Sequence, residues 1–320
     1  MHLHRDTIRF GIHSGQQYGS FDEALALWRT AESLGADWVS VFDHFRPMDR
    51  PLGPCLEGPT LLAALAARTP RVRCAILVAG VPYRHPGILA SIAATLDHVS
   101  GGRLELGLGA GGPDLAQQQF GLPFPPVGER MDMLEETCTV LRRLWTEESV
   151  TFRGRHFQLE DARLEPRPLQ SRVPIVIGGG GEQRTLRIAA RHADVWNTVP
   201  ASPDGYRHKL DVLRGHCADL GRDPAEIRKS ILFRAVLAPT ETEAYARLDE
   251  MTGHAPADSP LRQGWLVVGT PEQCLDRLIP YAEMGVRDFL LGARAPVDWE
   301  TVELAAGPVA EGLRRWGLRR

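Results

Sequence analysis

The sequence predicts a (β/α)8 barrel, and three observations support that prediction. Eight apolar segments with the length of buried strands begin near residues 8, 37, 72, 103, 173, 194, 231 and 286. A helical pattern follows each one, and eight such units in a single series are the number that closes a parallel barrel. An open, doubly wound sheet is the competing fold, but its glycine fingerprint normally follows the first strand, where this chain has His-Ser-Gly-Gln-Gln at residues 13–17.

Local signals define the first two units. Residues 8–12 form the first strand, and a polar turn at 13–19 leads to Ser20, which has the spacing of a capping box with Glu23. Gly35 ends that helix. Residues 37–42 are the second strand. The Pro- and Gly-rich loop at 46–59 is long enough to fold over a site before the next helix, at 61–68.

The stretch 71–112 predicts a strand, a helix that opens at Pro86, and a second strand that ends in glycines. A parallel pair joined by a helix brings the carboxyl ends of both strands to the same edge of the sheet. Residues 79–83 and 107–112 are therefore expected to lie close together. Ligands of parallel α/β folds bind at that edge.

The second half of the chain continues the alternation. A long helix at 129–145 precedes a small hairpin at about 150–160, which reads as an insertion rather than a barrel strand. The remaining strands are 173–177, 194–197, 231–237 and 286–291, and the remaining helices are 182–192, 204–220, 241–251, one that begins at Thr270, and 299–316. Residues 1–320 are predicted to form one domain, with a mobile loop at 253–263.

Composition excludes several functional classes. The formal net charge of -3, with 24% charged residues, offers no excess of positive charge for a nucleic-acid backbone. The five cysteines are scattered without metal-ligand spacing, which favours reduced thiols and neither disulfides nor a metal site. No apolar run has the length of a membrane span or a signal peptide. A cytoplasmic protein with a small-molecule substrate is expected.

The predicted strand ends carry many glycines and few charges. They are His13, Gln16 and Gln17, then Asp43 and His44, then residues 79–84, then 107–112, then Gly178 to Gly181, and finally Trp196 and Asn197. Such a face can admit a large, flat, partly apolar ligand against bare backbone. It is unlike the carboxylate cluster that hydrolysis or metal binding needs.

Two features of this face have both a functional and a structural reading. The four glycines that follow the fifth strand would present free backbone N–H groups to a phosphate, with Arg184 nearby, or they would only make a tight turn. His44 could exchange a proton near neutral pH, and Asp43 could orient a ligand. Either residue could instead serve only as a local hydrogen-bonding group.

Several segments together resemble the luciferase-like monooxygenase superfamily, and most of all its branch that depends on coenzyme F420, an 8-hydroxy-5-deazaflavin. They are IRFGIHSGQQ, VSVFDHF, GPCLEG, YRHPGILASIAATLDHVSGGRLELGLGAG, FPPVGERMDMLEE, VTFRGRHFQLEDARLEPRPLQ, IGGGGEQRTLRIAARHADVWN and VGTPEQ. The resemblance runs from about residue 8 to residue 197 and resumes at 269–272. FMN enzymes share the barrel and much of the YRHP and Gly-rich pattern, so FMN is the alternative cofactor.

The resemblance implies a deazaflavin in the carboxyl-terminal mouth of the barrel and a homodimeric assembly. It assigns Asp43 and His44 to the ring, with His44 as the proton donor or acceptor, and Ile76-Leu77 to a non-prolyl cis peptide bond behind the ring. The further cofactor positions implied are Ala79, Gly80, Gly107, Gly109, Ala110, Gly111, Gly112, Gly178, Gly179, Gly180 and Gly181. Substrate contacts are expected from His13, Gln17, Met48 and Trp196.

The chain departs from the family pattern near the expected substrate site. Relatives commonly carry Trp or Glu after the position of Gly111, whereas this chain has Gly112, and Met48 and Pro59 stand where aromatic residues are usual. His44 is therefore expected to carry the acid–base chemistry of an F420-dependent hydride transfer to or from a small organic substrate. An FMN-dependent monooxygenase and a non-catalytic flavin-binding barrel are the alternatives.

Overall fold

The computed structural model of the chain describes residues 7–47, 53–112, 115–253 and 266–319. Its main sheet has the order β10-β9-β11-β1-β2-β3-β4-β7-β8, and a further β9–β8 pairing closes it. Eight parallel strands therefore form a barrel, which confirms the predicted (β/α)8 fold. The predicted mobile loop at 253–263 lies, except for Gly253, outside the described residues.

The strands are, in chain order, β1 (Arg9–Gly15), β2 (Trp38–Val41), β3 (Arg73–Gly80), β4 (Leu104–Gly109), β5 (Val150–Arg153), β6 (Gln158–Ala162), β7 (Ile175–Gly178), β8 (Val195–Thr198), β9 (Arg228–Leu237), β10 (Leu266–Gly269) and β11 (Val286–Arg294). The α-helices are α1 (Phe21–Ser33), α2 (Gly58–Ala66), α3 (Pro86–Ser100), α4 (Leu115–Gln119), α5 (Val127–Thr146), α6 (Thr185–His192), α7 (Pro203–Asp219), α8 (Glu241–Met251), α9 (Pro271–Glu283), α10 (Trp299–Leu304) and α11 (Ala310–Gly317). Short 3-10 turns lie at Val81–Tyr83 and Pro224–Glu226, and a π-helical turn lies at Ala305–Val309.

Most helix starts follow the local signals. Ser20 and Glu23 form the expected capping box of α1, and Thr270 caps α9 with Pro271 in the first turn. Helix α3 begins at Pro86 as predicted. Among the described residues, none of the helices has both the length and the apolar content needed to cross a bilayer.

The structure differs from the sequence prediction at several elements. Helix α4 was not predicted, and α2 and β9 begin three residues earlier than expected. Helix α6 begins at Thr185, three residues later than predicted, because Gly181 and the residues after it form a turn first. The short strand β10 pairs with the carboxyl-terminal half of β9, outside the pattern of eight units. The predicted closing helix is interrupted by the π-helical turn that contains Pro308. Proline lacks the N–H that a regular helix needs there.

Alternate residues of the barrel strands face the interior, as the two-residue period of a strand requires, except at Leu77 and Val78, where the pairing of β3 with β4 is irregular. The interior cluster contains Trp38, Ala75, Leu77, Val176, Val195 and Leu290, with Val78 and Leu232 beside it. A separate and larger apolar cluster fills the layer between the strands and the helices. The position of a residue along a strand therefore decides whether its side chain lies in the barrel interior or in the layer between the strands and the helices.

The end of the barrel opposite the mouth is closed by buried charges. Arg9 pairs with Glu105 and with Asp288, each at 2.6 Å. Arg73 also pairs with Glu105 and Arg228 with Asp288, at 2.7 and 2.6 Å. Burial alone would raise the pKa of Glu105, but the charges and hydrogen bonds of Arg9 and Arg73 outweigh it and lower the pKa to about 2. This network links strands β1, β3, β4, β9 and β11.

Candidate active site

The floor of the barrel mouth is Val78, and three glycines make room for its side chain. A Cβ atom added at Gly107, Gly109 or Gly178 would lie 2.9, 2.7 or 2.7 Å from a methyl carbon of Val78. Real Cβ atoms do not approach other atoms so closely, so these positions admit glycine where a larger residue would displace Val78. The result is a small apolar platform surrounded by bare backbone on β4 and β7.

A non-prolyl cis peptide bond joins Leu77 to Val78. The prediction placed this bond one residue earlier, at Ile76-Leu77, and that position was wrong. The resemblance to the family therefore gave the wrong position, and the pairing of β3 with β4 is irregular between Ile76 and Ala79. The side chains of Ile76 and Ala79 pack in the layer between the barrel and its helices. Only their backbones can therefore serve the mouth, whereas Leu77 faces the interior.

Asp43 follows β2 and is 2% exposed. Its Oδ2 accepts hydrogen bonds from the Gly80 backbone N–H at 3.2 Å and from Arg84 Nη1 at 2.7 Å, and Arg84 Nη2 pairs with Glu57 at 2.5 Å. Burial raises the pKa of Asp43, an effect that Arg84 and the Gly80 N–H only partly offset. The other oxygen, Oδ1, has no partner among the described residues, so it can accept a hydrogen bond from a ligand.

The ring of Phe42 lies among three groups of the mouth. It is 4.0 Å from the ring of His13 and 5.5 Å from that of His44, and the Arg294 guanidinium lies 5.8 Å from its centre. Gln16 fixes the Phe42 backbone, because its amide donates to the Phe42 carbonyl at 2.6 Å and accepts from the Phe42 N–H at 3.0 Å. The predicted His13 and His44 are therefore brought to the same part of the mouth.

Gln17 is fully buried, and neither atom of its side-chain amide has a partner within the described ranges. It forms an isolated antiparallel bridge with Cys55, whose Sγ donates to the His44 carbonyl at 3.2 Å. A buried amide without partners is costly, which is expected where a ligand completes the hydrogen bonding. Met48, the other substrate residue predicted nearby, lies outside the described residues.

The glycine loop after β7 is held from two sides. Gly179 has φ +120°, a conformation that favours glycine, and its backbone N–H donates to the Asn197 carbonyl at 3.0 Å. Lys209 Nζ donates to the Gly180 carbonyl at 2.7 Å. Arg184, expected to assist an anion here, pairs instead with Asp132 on α5 at 2.5 Å. Lys209 of α7, which also pairs with Glu182 at 3.2 Å, is thus a cation in direct contact with this loop, and it was not among the predicted site residues.

Trp196 does not line the mouth. Its indole is fully buried, stacks on Tyr206 of α7 with an interplanar angle of 6°, and donates to the Gly179 carbonyl at 2.8 Å. The prediction of a substrate contact is therefore corrected: Trp196 faces the outer layer, because it occupies an outward position of β8, and it supports the glycine loop.

The loop after β4 is held by Arg130 of α5. Its Nη1 donates to the carbonyls of Ala110, at 2.9 Å, and Gly111, and its guanidinium lies 3.9 Å from the centre of the Phe124 ring. Gly111 has φ +75°, which explains why glycine stands there. Gly112 is exposed, and a Cβ added to it would contact no described residue within 4 Å.

Two segments meet above the mouth. Phe45 contacts the rings of Tyr83 and Phe120 at 4.9 and 5.9 Å, and Arg46 donates to the Gln119 side chain at 2.5 Å. The loop after β2 and the helix α4 therefore cover one side of the opening.

Three residues of the mouth escaped the sequence analysis: Val78, Lys209 and Arg294. Arg294 ends the last barrel strand, β11, and its charge acts on His13. A basic residue after the eighth strand could have been recognised by the rule that strand ends carry function. Val78 and Lys209 depend on contacts between distant segments and give no local signal.

The mouth fits a flat cofactor with a phosphate group better than a metal ion. Within the part of the chain that the structure describes, no group of three or more His, Cys, Asp or Glu side chains is placed to hold a metal. The apolar platform of Val78, the bare glycine backbone and the orphaned Asp43 Oδ1 suit a ring with polar edges. The glycine loop and Lys209 can receive an anion.

Comparison with known proteins agrees with this fold. The luciferase-like monooxygenase family matches residues 6–265. The chain is 36% identical to an F420-dependent glucose-6-phosphate dehydrogenase of Kineococcus radiotolerans, over 82% of this chain and 84% of that one. It is 31% identical to the enzyme of that name from Nakamurella multipartita, over 89% and 91%. An F420-dependent secondary alcohol dehydrogenase has the same fold, with a TM-score of 0.81, 22% identity and coverage of 96% and 99%. The chain belongs to the luciferase-like monooxygenase family.

Proposed function

We propose that the protein is an F420-dependent oxidoreductase that transfers a hydride between C5 of the deazaflavin and a small organic substrate. The observation that carries the proposal is the mouth itself, in which Asp43 Oδ1 and the Gln17 amide are buried without partners among the described residues, around an apolar platform. Relatives that are 31% and 36% identical along most of their length are named F420-dependent glucose-6-phosphate dehydrogenases. Their names support the choice of F420 over FMN.

Each part of the mouth has a role in holding the cofactor. Val78 would support one face of the ring, with Leu77 beneath it and the backbone of Gly107 and Gly109 beside it. Asp43 Oδ1 would accept a hydrogen bond from a polar edge. Gly178 to Gly181 would bind the phosphate through backbone N–H groups other than that of Gly179, which donates to the Asn197 carbonyl. Lys209 would add a positive charge beside its contacts with the Gly180 carbonyl and Glu182. Gly80, Ala110, Gly111 and Gly112 would approach through their backbone.

When bound, the deazaflavin supplies C5 as the hydride donor or acceptor. His44 exchanges the matching proton with the substrate. It is half-buried, and its ring lies 5.5 Å from the Phe42 ring that also contacts His13. Gln17 would orient the substrate through the amide atoms that the protein leaves without partners.

Cofactor choice is tested by titrating the apoprotein with F420 and with FMN while the fluorescence of its seven tryptophans is followed. We expect F420 to bind at least about tenfold more tightly, a difference of about 1.4 kcal/mol. Tighter binding of FMN would instead support an FMN-dependent monooxygenase of the same family. Binding of F420 without reduction or oxidation across a panel of alcohols and aldehydes would support the non-catalytic alternative.

The role of His44 is tested by His44→Ala. We expect kcat to fall by about 10²–10⁴-fold, the usual contribution of a general acid or base, with little change in the Kd for F420. His98→Ala is the matched control, because His98 lies on the outer helix α3 and bonds the Arg167 carbonyl. If His44→Ala keeps the kcat of the wild type, another group exchanges the proton.

The proposal also covers the location of the protein, its assembly state and its partners. A cytoplasmic homodimer with no nucleic-acid partner is expected from composition and family. Light scattering of the purified protein at micromolar concentration measures the assembly state, and a monomeric mass would contradict the dimer.

A further inference from the structure

His13 is a buried histidine at the mouth with one ring nitrogen unused. It lies on an inward position of β1, two residues after Gly11, which contacts the interior residue Trp38. Its side chain is 1% exposed, and Nε2 has no hydrogen-bond partner within the ranges that the structure describes. A core histidine normally satisfies both nitrogens, because an unmade buried hydrogen bond is costly.

The partner of the other nitrogen decides which proton His13 carries. Nδ1 lies 2.8 Å from the Ser40 hydroxyl, and among the described residues this is the one hydrogen bond of that hydroxyl. If Nδ1–H donated to Ser40, the hydroxyl proton would have no acceptor and Nε2 would remain an unused acceptor. If Ser40 donates to Nδ1, only the Nε2–H is left to be satisfied. The second arrangement leaves fewer buried groups unpaired and places the proton on Nε2.

Ser40 is itself held in place. Its backbone carbonyl accepts a hydrogen bond from the Ser14 hydroxyl at 2.9 Å, and Ser14 accepts from the Trp28 indole at 2.9 Å. These contacts tie β1 and β2 to helix α1 next to His13. The imidazole is therefore positioned by a chain of hydrogen bonds that reaches the outer layer.

His13 also stays neutral across the ordinary pH range. Burial lowers the pKa of His13 to about 3, and Arg294 at the end of β11 and His44 after β2 act in the same direction. The Phe42 ring, packed 4.0 Å from the imidazole, offers no opposite charge to reverse this effect. A neutral ring with Nε2–H is a hydrogen-bond donor and cannot act as an acid at neutral pH.

We propose that His13 is a catalytic residue whose neutral Nε2–H donates a hydrogen bond to the substrate oxygen at the carbon that gains or loses the hydride. The inference rests on the proposed function and deepens it, since it assigns the substrate an alcohol or carbonyl oxygen. His44 and His13 then act on one oxygen, because both rings lie beside the Phe42 ring, at 5.5 and 4.0 Å, and His44 is close enough for its charge to act on His13.

The step balances for an alcohol in the following way. The C–H bond breaks and its electron pair leaves with the hydride for C5 of the deazaflavin, the O–H proton passes to His44, and a C=O bond forms. Negative charge develops on the oxygen while the proton departs, and a fixed donor stabilises that charge. Reduction of a carbonyl runs through the same arrangement in reverse.

The protonation state is tested without turnover by NMR of protein labelled with ¹⁵N at its histidines, with the His13 signals identified by their loss in His13→Gln. We expect a protonated Nε2 and an unprotonated Nδ1, unchanged from pH 8 to pH 5. Ser40→Ala should mix the two tautomers, and Ser40→Thr, which keeps the hydroxyl, should restore the wild-type spectrum. An Nδ1–H tautomer, or a charged ring at pH 6, would overturn the proposal.

The catalytic role is tested with F420 and two probes, 2-propanol and glucose 6-phosphate. We expect His13→Phe to lower kcat by about 10²-fold, the loss for one donor to a developing oxyanion, with a smaller change in KM. Ser40→Ala should lower kcat by about fivefold, the value of one ordinary hydrogen bond, and Ser40→Thr should recover it. His98→Phe, on the outer helix, is the control for a substitution of the same kind.

The two proposals fail in different ways. If wild-type protein binds F420 but oxidises neither probe, the proposed substrate class is wrong, and the NMR spectrum still decides the state of His13. If wild type turns over a probe and His13→Phe keeps its kcat, His13 is a structural residue and the further inference falls while the oxidoreductase stands.

Discussion

Val78 shows how single residues shape the mouth. Its side chain is half-buried and occupies the space that Gly107, Gly109 and Gly178 leave free. A β-branched side chain has few rotamers, so it makes a firm platform. Substitution of any one of these glycines by alanine would push the Val78 side chain toward the ligand.

Gly109→Ala is expected to weaken F420 binding by about tenfold, or about 1.4 kcal/mol. The added Cβ would lie 2.7 Å from Val78 Cγ2, and the atoms within 4 Å of it all belong to Val78. Gly109→Ala combined with Val78→Ala should therefore bind F420 more tightly than Gly109→Ala alone, because the colliding methyl group is gone. Fluorescence titration of the four proteins of this cycle measures the coupling. Additive losses would show that the effect of Gly109→Ala does not act through Val78.

Sequence predicts the position of a residue well where it follows directly from the end of a strand. Asp43, His44, His13 and Gln17 were expected at strand ends. The structure places the rings of His13 and His44 beside Phe42 and buries Asp43 and Gln17 after β2 and β1, and their roles stay predictions. The prediction failed for Ile76 and Trp196, whose side chains lie on the outer face of their strands. A shift of one position along a strand turns the side chain to the opposite face of the sheet. Val78 was missed because its role depends on glycines of two other strands.

At the scale of elements, the hairpin β5–β6 is fastened to α5 by one carboxylate. Glu136 accepts hydrogen bonds from the backbone N–H groups of Arg155, His156 and Phe157, at 2.7, 3.1 and 3.0 Å. A Cβ added at Gly154 would lie 2.3 Å from Glu136 Oε2, so the tip approaches the carboxylate through bare backbone. The insertion therefore has a fixed position against the barrel.

Glu136→Ala is expected to free the tip of the hairpin without unfolding the barrel. Three backbone donors lose their acceptor, so amide hydrogen exchange at residues 154–157 should become about tenfold faster, while global stability changes by about 1 kcal/mol or less. Glu160→Ala is the control on the same hairpin, because its ion pair with Arg153 is exposed and worth little. Equal exchange at the tip in both variants would mean that Glu136 does not anchor it.

Elements were easier to predict than their ends. The apolar runs of the eight barrel strands and the caps at Ser20 and Thr270 are local signals, and the structure follows them. The start of α6 is set by a local turn that the Leu186 N–H bond to the Gly181 carbonyl closes, and β10 is set by its tertiary pairing with β9. Sequence periodicity does not contain that information.

At the scale of the whole molecule, the buried charge network opposite the mouth holds five barrel strands in one arrangement. Glu105 is fully buried and pairs with both Arg9 and Arg73, while Asp288 pairs with Arg9 and Arg228. Each charge has a partner of opposite sign, and removal of one leaves another buried and uncompensated. The network is far from the mouth, so its loss should act on stability rather than on cofactor choice.

Glu105→Gln is expected to lower the free energy of unfolding by about 3–5 kcal/mol at pH 7, as measured by urea denaturation. Glu148→Gln is the control, because Glu148 forms an exposed pair with Arg163 and its loss should cost about 0.5 kcal/mol or less.

The contribution of Glu105 to the free energy of unfolding depends on pH with a definite sign. The pKa of Glu105 is about 2 in the folded protein, below its ordinary value of 4.5, so the folded state favours the charged form. Its contribution is fully present above pH 4.5 and is lost as the pH falls from there toward 2. The stability of Glu105→Gln should therefore fall less steeply than that of the wild type over this range. Parallel curves for the two proteins would mean that Glu105 does not stabilise the barrel through its charge.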